Sequence, residues 1–440
     1  MTLHNVVDHP IPNVLMRAQW ARYTLVAVLG IGMGASAIGL MDLREPETKP
    51  AVAPPSEAPS KAQATPEPPK NTPIPQRQLV GNRSQNVTIQ QLQALGYVDG
   101  TYDPDNHLAD VVLNDPEKTS PGYNFYSSRG QNGAQLIDMQ GRVLYRWRAN
   151  QKGAWQHCEL LPNGDVIAIV KEQRLSRYDK DSNLIWSVRG RFHHDLSISG
   201  DEIFVLARVG RMIDYIHPQS PTLVDVIQVR SLDGELKREI SVLDAIHDSA
   251  YGFLLPEIAH QKPAKKGRQL DVLHTNHVEV FDARLAYRDP IYAEGNILIS
   301  MRNINAIAIL DGNSAEVVWI WGPTNLTFQH HPTLLDDGHI LLFDNGMTRS
   351  RIIEIDPLSH RIAWEYSPGS GFFSKTQGSS QRLANGNTLI TESNRGYVLE
   401  VTPKGETVWK FANPVVNRKK EREAIWRTTR VDPQTLTFLD

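Results

Sequence analysis

One phrase recurs six times along this chain, with spacings of 41 residues from Asp138 to Asp179, 45 from Asp311 to Asp356 and 46 from Asp356 to Thr402. It predicts an all-β fold, a six-bladed β-propeller, because about four short strands at that period make one blade. Each copy has an apolar strand ending in Asp or its equivalent, a turn usually with Gly, and a strand ending in Trp. A polar segment often holding His follows, then Asn-Gly or Asp-Gly and another apolar strand. Those dipeptides supply the positive φ that a tight hairpin needs. Ahead of the propeller the sequence predicts an N-terminal transmembrane helix and a proline-rich linker.

The elements follow in chain order. Tyr23 to Met41 has no charged residue and is long enough to cross a hydrocarbon core of ~30 Å as a helix. Arg17 and Arg22 precede it, whereas Asp42, Arg44 and Glu45 follow. The positive-inside bias therefore makes residues 1–22 a cytoplasmic tail and 23–41 a single-pass signal-anchor of the cell inner membrane. The rest then lies in the periplasm or outside the cell. Ala35-Ser36-Ala37 looks like a signal-peptidase site, so cleavage is the alternative; the long leading segment and the apolar continuation through Leu40 favour a retained anchor. Residues 42–81 form the linker. From Pro46 to Pro75 it holds Pro, Ala, Glu, Lys and Ser with almost nothing to bury, which predicts an extended tether. The domain spans 82–440 and opens with a short helix over Val87–Tyr97, where Ile89, Leu92 and Leu95 share a face and Gly96 supplies the cap. The strand pattern begins after Pro121-Gly122-Tyr123.

The first copy runs Leu136-Ile137-Asp138, Gly141, Trp147, His157, then Asn163-Gly164 and Val166-Ile167. The second has Asp179, Trp186, His193-His194-Asp195 and Gly200-Asp201; the third has Leu232-Asp233-Gly234 and resumes only at Gly295-Asn296. The fourth has Asp311, Trp319, His330-His331 and Asp337-Gly338; the fifth Asp356, Trp364, Gln381 and Asn385-Gly386; the sixth Thr402, Gly405 and Trp409. The wide gap between Asp233 and Asp311 predicts an insertion in the third blade at about 244–290. Its Lys262, Lys265, Lys266 and Arg268 suit a lid or, preferably, a solvated loop. The ring is expected to close through a strand from Trp426 to Val431, and the repeated tryptophans to pack between blades.

Composition narrows the function. A net charge of −3 gives no reason to expect a nucleic-acid partner. The single cysteine, Cys158, excludes an internal disulfide and a Cys-rich zinc site, and reads as a small buried hydrophobe. There is no His-Glu-x-x-His, phosphate loop, Gly-x-Ser-x-Gly elbow or dinucleotide fingerprint, so neither a metal nor another cofactor is expected.

A propeller brings equivalent positions of successive blades to one channel mouth. Here those positions hold His157, His193, His194, His274 with Asn276, His330, His331 and Ser380-Gln381, with Arg302 following the strand Ile297–Met301. Imidazole and guanidinium in number call for an anion with several oxygens, such as a sulfuryl or phosphoryl group. A metal held by neutral imidazoles is the rival. His274 and His277, three apart on a strand, would point to opposite faces and could not easily share an ion. The same alternation predicts that only one of His330 and His331 faces the channel.

From about Pro121 to Pro414 the chain resembles the bacterial arylsulfate sulfotransferase family. The phrases that carry it are Ala134-Gln135-Leu136-Ile137-Asp138, Phe192-His193-His194-Asp195, Leu273-His274-Thr275-Asn276 and Ile299-Ser300-Met301-Arg302. Gln329-His330, Leu342-Phe343-Asp344-Asn345-Gly346 and Gln381-Arg382-Leu383-Ala384-Asn385-Gly386-Asn387-Thr388 complete the set in order. The resemblance implies an exported propeller that moves a sulfuryl group from an aryl sulfate to a phenolic acceptor through a sulfated histidine. It implies His330 as nucleophile, with His331 the alternative. His274, Arg302 and His194 or its neighbour His193 join it in catalysis, and Asn276, Gln329 and the remaining histidines bind substrate. Hydrolysis of another anionic ester, or ligand binding without turnover by an envelope-tethered propeller, are the competing functions.

Overall fold

The structure is a computed structural model that describes residues 107–439 apart from 257–263 and 266–267. The expected anchor Tyr23–Met41, the linker and the helix Val87–Tyr97 lie outside the described residues. Among the described residues no helix is long and apolar enough to cross a membrane.

Six sheets stand in a ring. Strand β1 (Asp110–Asn114) precedes blade 1, which joins β2 (Tyr123–Ser128), β3 (Gly133–Ile137) and β4 (Val143–Arg148) to the distant β26 (Ile425–Val431). Blade 2 is β5 (Trp155–Leu160), β6 (Val166–Val170), β7 (Arg174–Tyr178) and β8 (Leu184–Arg189). Blade 3 is β9 (Phe192–Ser199), β10 (Glu202–Ile213), β11 (His217–Ser231) and β12 (Leu236–Ser241), with β13 (Leu270–Asp271) pairing parallel to β11. Blade 4 is β14 (Thr275–Val280), β15 (Ile297–Met301), β16 (Ala306–Leu310) and β17 (Val317–Trp321). Blade 5 is β18 (His330–Leu334), β19 (Ile340–Asp344), β20 (Arg351–Asp356) and β21 (Arg361–Tyr366). Blade 6 is β22 (Ser379–Arg382), β23 (Thr388–Glu392), β24 (Tyr397–Val401) and β25 (Thr407–Ala412), edged by β1. The predicted closing strand thus completes blade 1, with Tyr123 opposite Val431.

The middle strands β6, β15, β16, β19 and β24 are buried at every residue because each sheet is covered on both faces. That is why they read as continuous apolar runs instead of alternating. The five repeated tryptophans lie between blades, as expected, and each of their indole N–H groups is bonded to a turn carbonyl of the following blade. Trp147 reaches Gly164 at 2.9 Å, Trp186 Leu232 at 2.8 Å, Trp319 Pro357 at 3.0 Å, Trp364 Pro403 at 2.9 Å and Trp409 Met139 at 2.9 Å. Blade 3 has no tryptophan there, and Arg238 on β12 takes over by donating to Gly312 O at 2.7 Å. The repeated Asp closes its own turn: Asp138 Oδ1 accepts from the Gln140 and Arg142 amides at 2.9 Å each.

Two expectations need correction. Pairing starts before Pro121, because β1 edges blade 6; Asp-Val-Val-Leu-Asn is too short and too exposed to show a buried face. The insertion is not 244–290. Thr275–Val280 inside that range is the inner strand β14, and the extra length between Asp233 and Asp311 is split between the segment 242–274 and the 281–296 connection from β14 to β15. The segment opens with α1 (Val242–His247), capped by Ser241, whose side chain accepts from the Asp244 amide.

Candidate active site

Five of the six inner strands lose register near their starts, and β22 of blade 6 keeps it. Breaks fall between Trp155 and His157 on β5, Phe192 and Leu196 on β9, Thr275 and His277 on β14, His330 and Thr333 on β18, and Ile425 and Thr428 on β26. At or just before the inner strands, non-glycine residues take left-handed backbone angles: His194 (φ 55°), His274 (φ 51°), Phe328 (φ 57°), His331 (φ 50°) and Gln377 (φ 62°). Such bulges re-aim side chains, and their repetition around one channel is a feature of the site, not of the sheets.

The result is a cavity of about 40 Å³ lined by Gln156, His157, His194, Asn276, His330, His331, Gln377, Gly378, Trp426 and Arg427. His157, His194, Asn276, His330 and His331 therefore converge from blades 2 to 5. His330 and His331 both reach it, so the expectation that only one could does not hold. The left-handed His331 breaks the alternation on which it rested.

His330 is fixed by its neighbours. Its Nδ1 lies 2.7 Å from Asn345 Oδ1 and 2.9 Å from the Phe328 carbonyl, both acceptors, so Nδ1 carries the proton. Asn345 Nδ2 in turn donates to Ser374 O at 2.7 Å and Gln377 O at 2.6 Å, which sets the amide's orientation. Nε2 accepts from the Gln377 amide at 3.2 Å, so it is unprotonated and covered by that N–H, with both residues in the cavity lining. Burial pushes the ring's pKa down to about 3 against the Asn345 hydrogen bond, leaving a neutral imidazole.

Beneath it lies a charged layer around Asp195, which is wholly buried. Asp195 Oδ2 is 2.5 Å from His277 Nδ1, and Oδ1 is 2.9 Å from Arg427 Nη2 and 3.3 Å from His157 Nε2. Burial alone would raise this carboxyl, but Arg427 and His277 outweigh it and hold it well below the usual carboxylate range. The His277 ring packs edge-on to His331, with centroids 5.2 Å apart. Burial lowers the pKa of both rings, that of His331 well below the ordinary value.

A second group stands behind His194. His193 Nδ1 is 2.7 Å from His194 Nδ1, and the His274 ring packs against His194 at 4.9 Å. His274 Nδ1 is 2.5 Å from Asp271 Oδ2, and Arg208 bridges Asp225 at 2.9 Å and Asp271 at 3.4 Å. Burial keeps His193 and His194 neutral, their pKa well below the ordinary value.

The other expected residues do not line the cavity. Gln329 is fully buried and donates to Ala306 O at 2.8 Å and Ser300 Oγ at 3.0 Å, while its own carbonyl holds Asn276 Nδ2 at 2.8 Å; it positions Asn276. Arg302 stacks on the Phe328 ring at 4.2 Å, and its charge helps lower the His330 pKa. Gln381 pairs with both backbone groups of Arg430 and joins blade 6 to blade 1. Sequence reasoning missed Gln156, Gln377, Trp426 and Arg427. Trp426-Arg427 starts the closing strand at the place where other blades carry histidine, and that phase was the available signal. Among the described residues, Asp337, His339 and Glu354 are grouped as metal ligands would be, but Arg382 already holds Glu354 at 2.5 Å, and all three lie outside the cavity lining.

A model of the arylsulfotransferase (ASST) family matches residues 157–414. No curated protein matches the chain. Similar solved structures include a protein of unknown function from Bacteroides caccae, 12% identical over 70% of this chain and 98% of that one, with a TM-score of 0.46. Apo AztD from Citrobacter koseri is 9% identical over 71% of this chain and 98% of that one, with a TM-score of 0.39. A catalytically inactive virginiamycin B lyase from Staphylococcus aureus is 12% identical over 69% and 88%, with a TM-score of 0.40. At these values the likeness says nothing of substrate.

Proposed function

The chain belongs to the arylsulfotransferase (ASST) family, and from that premise we propose that its channel site moves a sulfuryl group from an aryl sulfate to a phenol through His330. The observation that carries the reading is the His330 hydrogen-bond set, which leaves a neutral ring in a histidine-lined cavity with an unprotonated Nε2 held only by the Gln377 amide. In the first half, Nε2 attacks sulfur and the bond from sulfur to the aryl oxygen breaks. In the second, the acceptor oxygen attacks the same sulfur and His330 is restored. Covalent transfer splits one hard displacement into two easier ones.

The surrounding groups fit these steps. The Asn345 and Phe328 oxygens stabilise the positive charge that the ring acquires. Asn276 and the neutral rings of His194 and His331 offer donors to sulfuryl oxygens without the repulsion a carboxylate would bring. His274 braces His194, and Arg302 adds positive potential. The cavity has room for a few waters but not for an aromatic ring, so the sulfuryl group seats at its floor and the aryl body stays at the mouth near Trp426. The donor must displace the Gln377 amide from Nε2. We further propose that the anchor Tyr23–Met41 holds this body outside the cytoplasm.

Intact-protein and peptide mass analysis after incubation with 4-nitrophenyl sulfate and no phenol tests the transfer. One sulfuryl group should appear on the peptide containing His330, be lost in acid or on adding phenol, and be absent in His330→Asn. Release of nitrophenol without acceptor or adduct would show hydrolysis instead, and binding without turnover would show a binding propeller.

A further inference from the structure

Farther along the inner strands lies a second chamber of about 400 Å³. Glu159, Leu196 and Glu279 line it, whereas the first cavity takes Gln156, His194 and Asn276 from the same three strands. His331 and Arg427 border both spaces.

Sulfuryl transfer has a proton to account for. A basic aryloxide leaving in the first half takes one up, and a phenol attacking in the second gives one back. His330 cannot hold it between the halves, because Nε2 is then bonded to sulfur and Nδ1–H is engaged by Asn345. Burial holds the His194 and His331 rings neutral, so neither of these keeps the proton.

We propose that Glu279 stores this proton and that His277 and His331 pass it between the second chamber and the sulfuryl site. The inference rests on the transfer reading above and adds a part to it. Glu279 Oε2 accepts from the Leu334 amide at 3.0 Å and lies 4.0 Å from His277 Nε2. His277 Nδ1 faces Asp195 at 2.5 Å, so its proton points there and Nε2 is left to receive one from Glu279. The imidazolium formed in passing sits against the Asp195 carboxylate. The neighbouring His331 ring, 5.2 Å away between centroids, reaches the cavity wall. These gaps suit small ring rotations or a bridging water.

The balance closes without another reactant. In the first half the carboxyl becomes carboxylate as the aryloxide becomes phenol; in the second the acceptor phenol reprotonates it. Burial pushes the Glu279 carboxyl up to about 8, with the Leu334 amide, Arg284 and Arg427 opposing and Asp195 reinforcing. Glu159, across the chamber on β5, adds to the negative surroundings. Glu279 is therefore protonated at neutral pH.

The test is Glu279→Gln, which keeps an oxygen for the Leu334 amide but cannot give up a proton in turnover. Its turnover should be compared with wild type on phenyl sulfate and on 4-nitrophenyl sulfate. The loss should grow with the basicity of the leaving aryloxide, changing the ratio between the two donors by ~10²-fold. His331→Asn should show the same bias, and the double variant little more, because the residues act in series. Equal losses on both donors, or none, would overturn the relay. Infrared titration of the intact protein gives a readout independent of activity. A protonated-carboxyl band should disappear as pH rises through about 8 and be missing in Glu279→Gln; its absence from wild type overturns Glu279 as the store. A band in a wild-type protein that consumes no aryl sulfate would instead overturn the transfer reading, and with it any catalytic use of the stored proton.

Discussion

Asn345 Oδ1 sits 2.7 Å from His330 Nδ1, and the same amide donates to the Gln377 carbonyl at 2.6 Å. One side chain thus sets the tautomer of the ring and holds the residue whose N–H covers the ring's other nitrogen.

Replacing Asn345 should therefore cost more than one hydrogen bond. Asn345→Leu leaves Nδ1–H without its side-chain partner and frees the 374–377 segment, so the tautomer is no longer imposed. Single-turnover labelling of His330 should slow by ~10²-fold or more, as when the orienting member of a triad is lost. Asn345→Asp keeps an acceptor and should retain more of the rate. Equal rates in all three proteins would show that the tautomer is set elsewhere.

His331 lines the cavity, and the proposed reading assigns the nucleophile to His330. His331→Asn should slow turnover while the sulfuryl label still appears on His330. Peptide mapping after brief exposure to donor decides this. A label that vanishes in His331→Asn but persists in His330→Asn would exchange the two roles.

Acid should unfold this protein early. His193, His194, His277, His330 and His331 have pKa values lowered by burial, and His330 reaches about 3. In the unfolded chain each returns to ~6.5. Below that pH the unfolded state binds protons that the folded state refuses. Stability is thus complete above the unfolded value and lost as pH falls toward the folded ones. The slope is up to ~1.4 kcal/mol per pH unit for each ring. Urea midpoints compared near neutrality and near pH ~5, where only the unfolded rings are charged, should differ clearly. Equal midpoints would mean that these rings are charged in the fold.

The charge bias around Tyr23–Met41 predicts that a reporter fused after Asp440 is active only on the far side of the inner membrane. Activity in the cytoplasm would remove the proposed topology.

The blades were legible because turn chemistry is local: Asp138, Gly141 and their counterparts state where each strand ends. The convergence of His157, His194, Asn276 and His330 was legible as well, because a repeat converts sequence phase into position. The use of each side chain was not. Strand alternation separates His330 from His331, yet the left-handed turn at His331 puts both in one cavity. Gln329 lies in the Gln-His phrase but faces Ala306 and Ser300. Arg427 and His277 matter through Asp195, a contact among three blades that no stretch of sequence contains.

The pairing of β26 with β2 bears on how the protein matures. Arg430 and Asn124, 306 residues apart, are joined across that seam by a 2.7 Å hydrogen bond, so blade 1 stays a three-stranded remnant until the distant strand arrives. That strand also delivers Trp426 and Arg427 to the cavity. Ring closure and the birth of a competent site are then a single event. A chain whose last strand has not yet docked then lacks a complete site, and a cut just before Ile425 would open the site without touching a histidine.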